Sequence, residues 1–388
     1  MKGILEGIRV LDLGRIISAP YCAMLMADMG AEVIKVEKAG KGDEMRSMAL
    51  FDYTAVNRNK KSITIQFRSE EGKELFRELI KKADVIIENF RPGTMNTMGF
   101  GYDDVKKINP KVIMASISGF GQTGPDYNRA AFDPVIQAES GLMSVMGTKQ
   151  TGPIEMGSPL VDHITSLFTL SGILAALWNR EKTGEGQYID ISMLDCAIPM
   201  MFTHIPNYSA LGKIAGPRDA TGPIAAPSKV YKAKDGYLFV IAATDEQFKR
   251  FRQIVNIPEL MKEEYLEFKY RAKHYQEIND IVSNWISNET VDHVSALLEK
   301  AGLPVGNVYT IDKAINSKQA VARKSVVDID VLNYGKVKFG GNPIKISGYQ
   351  ISEYKAAPEL GADNETIYKD LLGLSEAKIK ELKEKKII

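Results

Sequence analysis

"SISGFGQTGPDY" (Ser116–Tyr127) decides how the chain is read, because Gly119, Gly121 and Gly124 spell the G-x-G-x-x-G of a dinucleotide-binding loop. Such a loop works only between a strand and a helix: the third glycine must open an amphipathic helix whose N–H groups meet a pyrophosphate. The strand is present. "KVIMASIS" (Lys111–Ser118) is a short apolar, β-branched run of the kind buried in a sheet. The helix is missing, since Pro125, Asp126, Tyr127 and Asn128 are turn formers without helical apolar spacing. The glycines therefore end a strand in a loop, and an NAD-dependent oxidoreductase is left with a motif but no context for it.

Upstream, the same strand-to-helix texture repeats. "IRVLDL" (Ile8–Leu13), "EVIKVE" (Glu32–Glu37), "SITIQF" (Ser62–Phe67) and "DVIIENF" (Asp84–Phe90) read as strands, joined in the series by "VIMASIS". Between them lie helical patterns such as "SEEGKELFRELIKKA" (Ser69–Ala83), with acids in its first turn and lysines in its last, as the helix dipole favours. This alternation predicts an α/β fold with a mostly parallel sheet, and ligands on such sheets bind where strands end.

Near Pro199 the texture changes to a Pro-, Gly- and Ala-rich stretch that reads as a linker. "SKVYKAKDGYLFVIAA" then offers two strands around Asp235-Gly236, a hairpin signal, followed by helical patterns over 245–255 and 270–301. A smaller α+β domain is expected there. A second irregular stretch begins at Asp312 and leads to a mostly helical C-terminus.

The 388 residues suffice for about two domains. With 50 basic against 49 acidic side chains the net charge is +1, so a general nucleic-acid or membrane-surface binder is not expected and any anion site must be local. Cys22 and Cys196 lack metal or CxxC spacing and read as buried free thiols in a reducing compartment. Charges interrupt the N-terminus, and the apolar run "LFTLSGILAALW" (Leu167–Trp178) is shorter than the ~20 residues of a membrane span. The expectation is a cytoplasmic protein.

Four scattered histidines leave no metal site, and there is no P-loop, nucleophile elbow or kinase signature. The candidates are carboxylates and cations in loops. Asp162 in "GSPLVDHITSLFTLSGILAALW" stands before a long apolar helix with small residues at Ser166 and Gly172; it reads as an N-cap and, compatibly, as a carboxylate kept ionised by helix N–H groups and able to act as a covalent nucleophile. Lys38, Arg58, Lys60, Lys61, Arg68 and Arg91 flank the strands, either as solvated charges or as a pocket for a polyanion.

"VLDLGRIISAPYCAMLMADMGAEVIKVE", "ADVIIENFRPGTMNTMGFGYDDVKKINPKVIMASISGFGQTGP", "FDPVIQAESGLM", "GILAALWNREKTGEGQYIDISMLD" and "APELGADNETIYKDLLGLS" resemble, in order and spacing, the class III coenzyme A transferases, which include formyl-CoA and carnitine CoA transferases. The likeness covers about Leu5 to Ser375. It implies a large domain with a Rossmann-like parallel sheet built from both chain ends (1–198 and 346–388), linkers at 199–220 and 312–345, and a smaller α+β domain at 221–311. It further implies an interlocked homodimer, acyl-CoA and a small organic acid as substrates, and no tightly bound cofactor. The implied nucleophile is Asp162. Implied coenzyme A contacts are Ile16, Ile17, Ser18, Lys38, Ile65, Arg68, Asn89, Phe90, Arg91 and Met98, and Arg15, Phe132 and Gly121 fall on the substrate pocket. Small and apolar residues near the site (Ile17, Ser18, Ala19, Phe132, Pro159, Leu160) suit a modestly hydrophobic acid.

Two departures bear on the chemistry. Racemases of this family carry a histidine before the aspartate of "AFDPVIQ", where this chain has Phe132; formyl-CoA transferase-like members have a tyrosine there and a glycine run in the small domain, where this chain has "IAATDEQF". CoA transfer leads the readings. A 2-methylacyl-CoA racemase or epimerase and a non-catalytic CoA-binding protein stand beside it.

Overall fold

The computed structural model describes residues 3–48, 51–217, 226–351 and 353–388. Six strands, β1 (Arg9–Asp12), β2 (Glu32–Lys38), β3 (Lys61–Ile65), β4 (Val85–Glu88), β5 (Ile113–Ser118) and β6 (Tyr188–Ser192), form one sheet in the order β3-β2-β1-β4-β5-β6. Every pair is parallel. This is the doubly wound order, and it reverses between β1 and β4, where the crevice for a ligand opens. The first five strands are those expected from the sequence. β6 was not anticipated.

Strands buried on both faces need helices on both, and each face has its own core. One holds Val10, Val33, Val85 and Ile113 against helix Ser18–Asp28 and helix Leu160–Thr183. The other holds Leu11, Ile34, Ile63 and Ile86 against helix Glu70–Ile80 and the C-terminal residues Ile379, Leu382 and Ile387. Helix Glu70–Ile80 starts as the sequence predicts, with Ser69 accepting from the Gly72 N–H and Glu70 and Glu71 in the first turn.

The C-terminus completes the sheet by covering its edge. Alternate outward N–H groups of β3 and the residue after it, Ser62, Thr64 and Gln66, donate to Asp363 Oδ2 (2.8 Å), Asn364 Oδ1 (2.9 Å) and the Ile387 carbonyl (2.8 Å). An open edge that could pair with another chain is thereby satisfied, and the fold is built from both chain ends.

The chain divides into two compact units, the larger comprising Met1–Met143, Glu155–Leu211 and Ala322–Ile388, the smaller Ser144–Ile154 and Gly212–Val321. The smaller unit thus takes in an early segment, 144–154, and runs to 321, beyond the expected end at 311; the expected boundary at 220/221 lies outside the described residues. Its sheet joins β7 (Ser228–Lys232), β8 (Tyr237–Ile241) and β9 (Val305–Asn307) antiparallel, with the hairpin at Asp235-Gly236 as expected. The expected linker at 312–345 is instead structured. It contains a hairpin of β10 (Val326–Val331) and β11 (Gly335–Gly340), turned by Asn333 in the left-handed region at φ 68°.

Helix Leu160–Thr183 is longer than the apolar run that announces it, and by length and composition alone it could cross a membrane. Here it is a helix of the larger core: Val161, Thr165, Ser166, Thr169, Leu170 and Ile173 are buried. Gly172 allows close approach to β6, since a Cβ there would lie 3.3 Å from Ile189 Cγ2. Cys22 and Cys196 are both free and buried.

Candidate active site

The loop after β1 is held from below by buried charge. Asp12 accepts from the Gly14 N–H (2.8 Å) and from Lys60 Nζ (2.7 Å), and Lys35 Nζ lies 3.7 Å from Asp12 and 3.1 Å from Asp43. Lys35 also donates to the Gly14 carbonyl, and Lys60 to the Pro20 carbonyl (2.8 Å) and Asn57 Oδ1 (2.7 Å). Burial, opposed by the Asp12 charge, pushes the Lys60 ammonium down to about 8.

On this base Ile16 adopts φ 64°, a left-handed conformation that a β-branched residue enters only under constraint. Its N–H donates to Asp43 Oδ1 (3.2 Å). Across the crevice, Asn89 after β4 clasps Arg15: the Arg15 N–H donates to Asn89 Oδ1 (2.8 Å), and Asn89 Nδ2 donates to the Arg15 carbonyl (2.8 Å) and to Ser18 Oγ (3.1 Å). The ends of β1 and β4 are thus tied together at the point where the strand order reverses.

Asp162 faces this junction from helix Leu160–Thr183. It is the third residue of the helix and not the N-cap, which is Pro159; the capping acceptor comes from a distant residue, as Asp133 Oδ2 accepts from the Asp162 N–H (2.9 Å). The helix is also docked by Ser166 Oγ, which donates to the Ser18 carbonyl (2.6 Å). The expectation that helix N–H groups hold the Asp162 carboxylate ionised is corrected as well. Burial, with the Asp133 charge in support, raises it to about 7, against a hydrogen bond from Ser18. The dipole of the first turn is outweighed by burial first and by the charge of Asp133, itself the partner of that turn, second.

A cavity of about 480 Å³ opens in front of these groups. It gathers Arg15, Ile16, Ile17, Ser18, Asn89, Phe90, Arg91, Phe132 and Asp162 from the residues that the resemblance implies. Phe132 is 70% exposed. Lys38, Ile65, Arg68, Met98 and Gly121 do not line it. Lys38 is exposed at the end of β2 and Arg68 is exposed just past β3, Ile65 is fully buried inside β3, and Met98 packs on the second core. Gly121 turns the loop at φ 88° beside Ser192, so the cavity wall is made by Gly119 instead. No helix opens on Gly124; the next begins at Asp133, which removes the dinucleotide reading.

Of the strand-flanking cations, Arg58 and Lys60 are buried in structural ion pairs with Asp28 (2.7 Å) and Asp12, and Lys61 pairs with Glu32 (2.6 Å). They are not available to an anion. Arg91 is exposed in the cavity wall and holds no ion pair among the described residues.

Sequence reading missed several lining groups: Glu44, which binds Arg15 (3.0 Å); Arg129, paired with Asp126 (3.2 Å) and Glu139; and Ser118, whose buried Oγ has no hydrogen-bond partner among the described residues. Only Ser118 carried a signal, as the last residue of the strand before the glycine loop. Beneath the site, burial raises Glu88 to about 7 although Ser116 and the Phe90 N–H (2.7 Å) hydrogen-bond to it.

A half-buried carboxylate at the switch point of a doubly wound sheet, beside a cavity walled by guanidinium groups, defines the class: an α/β enzyme of acyl or phosphorylated anionic substrates. The model of CoA-transferase family III matches residues 5–364, and the chain belongs to that family and is a CoA-transferase whose substrates are CoA thioesters. Succinyl-CoA–D-citramalate CoA-transferase of Chloroflexus aurantiacus is 35% identical, over 99% of this chain and 98% of that one. Succinyl-CoA:glutarate CoA-transferase of Mus musculus is 34% identical over 97% and 88%, and acetyl-CoA:oxalate CoA-transferase of Acetobacter aceti 34% over 95% and 96%. Among solved structures, a CAIB/BAIF family protein from Brucella suis superposes with a TM-score of 0.86 at 31% identity, covering 96% of this chain and all of that one.

Proposed function

We propose that this transferase carries the transferred group covalently on Asp162 and that the acids it exchanges are dicarboxylic. The carrying observation is that Asp162 lines the cavity without a cationic partner among the described residues, whereas the other lining carboxylate, Glu44, is tied to Arg15. An Asp162 oxygen attacks the thioester carbonyl of the donor, giving a mixed anhydride and CoA thiolate. The thiolate adds to Asp162 Cγ, expels the donor carboxylate and leaves an aspartyl thioester. The acceptor carboxylate then adds to the same carbon, expels the thiolate as a second anhydride forms, and the thiolate takes the acceptor acyl group while Asp162 is released. Thioester energy is kept so long as water stays out, and contacts to the long CoA arm supply the binding energy for orientation.

Substrate class is supported by the relatives, whose names include citramalate, glutarate and oxalate, and by Arg91, the lining guanidinium that holds no ion pair among the described residues. This cation favours a second carboxylate over the modestly hydrophobic acid expected from the sequence. With succinyl-CoA as donor, kcat/KM for glutarate is expected to exceed that for butyrate by roughly 10- to 100-fold. Equal use of butyrate would contradict the assignment.

The same reading includes assembly as a homodimer, interlocked as the family resemblance implies. Its support is apolar surface that a single chain leaves open: Leu167, Phe168, Leu174 and Trp178 on helix Leu160–Thr183, then Phe202, Ile205, Tyr208 and Leu211. Sedimentation equilibrium at micromolar concentration is expected to give twice the chain mass; a monomer would remove this part of the reading.

A further inference from the structure

Ser18 and Asp162 line the same cavity, and the orientation of the Ser18 hydroxyl there is fixed by Asn89. Asn89 cannot be turned over: its Oδ1 accepts the Arg15 N–H and its Nδ2 donates to the Arg15 carbonyl, each at 2.8 Å. The same Nδ2 donates to Ser18 Oγ at 3.1 Å. Ser18 Oγ is therefore an acceptor from Asn89, and its single proton is free for the Asp162 carboxylate, which lines the same cavity and whose pKa the Ser18 hydroxyl lowers. Ser18 is buried (4% exposed) and is the first residue of helix Ser18–Asp28, with its carbonyl held by Ser166 from the Asp162 helix. Its hydroxyl is thus held from the Asn89 side of the crevice and its backbone from the Asp162 helix.

Resting on the assignment of Asp162 as the covalent carrier, we propose that Ser18 is a catalytic residue: the Asn89-oriented hydroxyl donates to the Asp162 oxygen that becomes the carbonyl oxygen of the anhydride and thioester. When CoA thiolate adds to Asp162 Cγ, the π pair moves onto that oxygen, and its return expels the acyl carboxylate. When the acceptor carboxylate adds to the thioester, the same oxygen takes the charge and thiolate leaves. No proton is transferred in either step. One preorganised donor serves both, and it also selects which Asp162 oxygen remains free to attack.

Other groups face Asp162. Asp133 holds its N–H from helix Asp133–Glu139; Arg15, Arg91, Arg129 and Glu44 share the cavity; and His163, the next residue, donates from Nδ1 to the Pro159 carbonyl (2.7 Å) and lies edge-on to Tyr21 (4.6 Å). None of these is altered in Ser18→Ala, so a change in Asp162 titration reports the lost hydroxyl.

The test has two readouts on Ser18→Ala and Ser18→Thr, with folding checked by circular dichroism. In ligand-free protein carrying 13C-carboxyl aspartate, the Asp162 resonance, identified by its loss in Asp162→Asn, is expected to titrate near 7. Its midpoint is expected to move upward by about one pH unit in Ser18→Ala and to return toward the wild-type value in Ser18→Thr. The sign follows because the lost bond favours the ionised form. With succinyl-CoA and glutarate, above the pH at which both enzymes are ionised, kcat of Ser18→Ala is expected to fall by roughly 10²-fold while KM for succinyl-CoA changes little. Either readout left at its wild-type value overturns the proposal, including a fall in kcat without a shifted titration. Failure of the underlying assignment is distinguishable, since the titration would still shift while wild-type enzyme formed no trappable adduct.

Discussion

Asp162→Ala and Asp162→Asn are expected to lose CoA transfer by on the order of 10⁴-fold or more, because each removes the ionisable carboxylate that attacks the thioester. Asparagine keeps the size of the side chain, and the backbone N–H that Asp133 accepts is untouched, so the fold has no reason to fail. It is also expected to gain slightly in stability above neutral pH. Burial and Asp133 raise the Asp162 carboxyl to about 7, so the neutral form favours folding at low pH and that advantage is lost as pH rises through the folded-state value. Steady-state transfer from succinyl-CoA to glutarate measures the loss. Retention of transfer within tenfold of wild type would remove Asp162 from the chemistry.

Asp12→Ala is expected to destabilise the protein by roughly 3–5 kcal/mol, measured by urea unfolding, because it strands Lys60 and leaves Lys35 with fewer counter-charges in the core. All three side chains are 0–1% exposed, so water cannot replace the lost carboxylate. The same change frees the Gly14 N–H at the root of the loop that carries Ile16 and Ser18. A loss below about 1 kcal/mol would mean that the charges under the site are paired well enough without Asp12.

The division between legible and illegible features follows from range. Five strands could be read because each is a β-branched apolar run buried on both faces, as in Ile113–Ser118. β6 escaped because Tyr188, Ile189, Asp190 and Ile191 are exposed or only half-buried, the mark of an edge strand after a glycine-rich turn. The β10–β11 hairpin escaped because only Ile329 and Phe339 of its side chains are buried.

At the site, the position of Asp162 in an apolar helix was visible, but its cap was not, since the acceptor Asp133 lies 29 residues upstream. Arg58 and Lys60 looked like anion-binding cations for the same reason. Their partners Asp28 and Asp12 are 30 and 48 residues away, and only the strand order brings them together. The glycine motif misled in the opposite sense: Gly119 is needed because a Cβ there would meet Ala131 Cβ at 2.3 Å, a packing constraint unrelated to a nucleotide.

Mass analysis of one tryptic peptide tests the covalent role of Asp162 most directly. Cleavage after Lys149 and Arg180 releases Gln150–Arg180, which contains Asp162 and one other carboxylate side chain, Glu155. After wild-type enzyme is incubated with succinyl-CoA and quenched with hydroxylamine, fragmentation of that peptide is expected to locate a hydroxamate on Asp162 and none on Glu155. An unmodified Asp162 under conditions of full turnover, or the hydroxamate on any other residue, would contradict it.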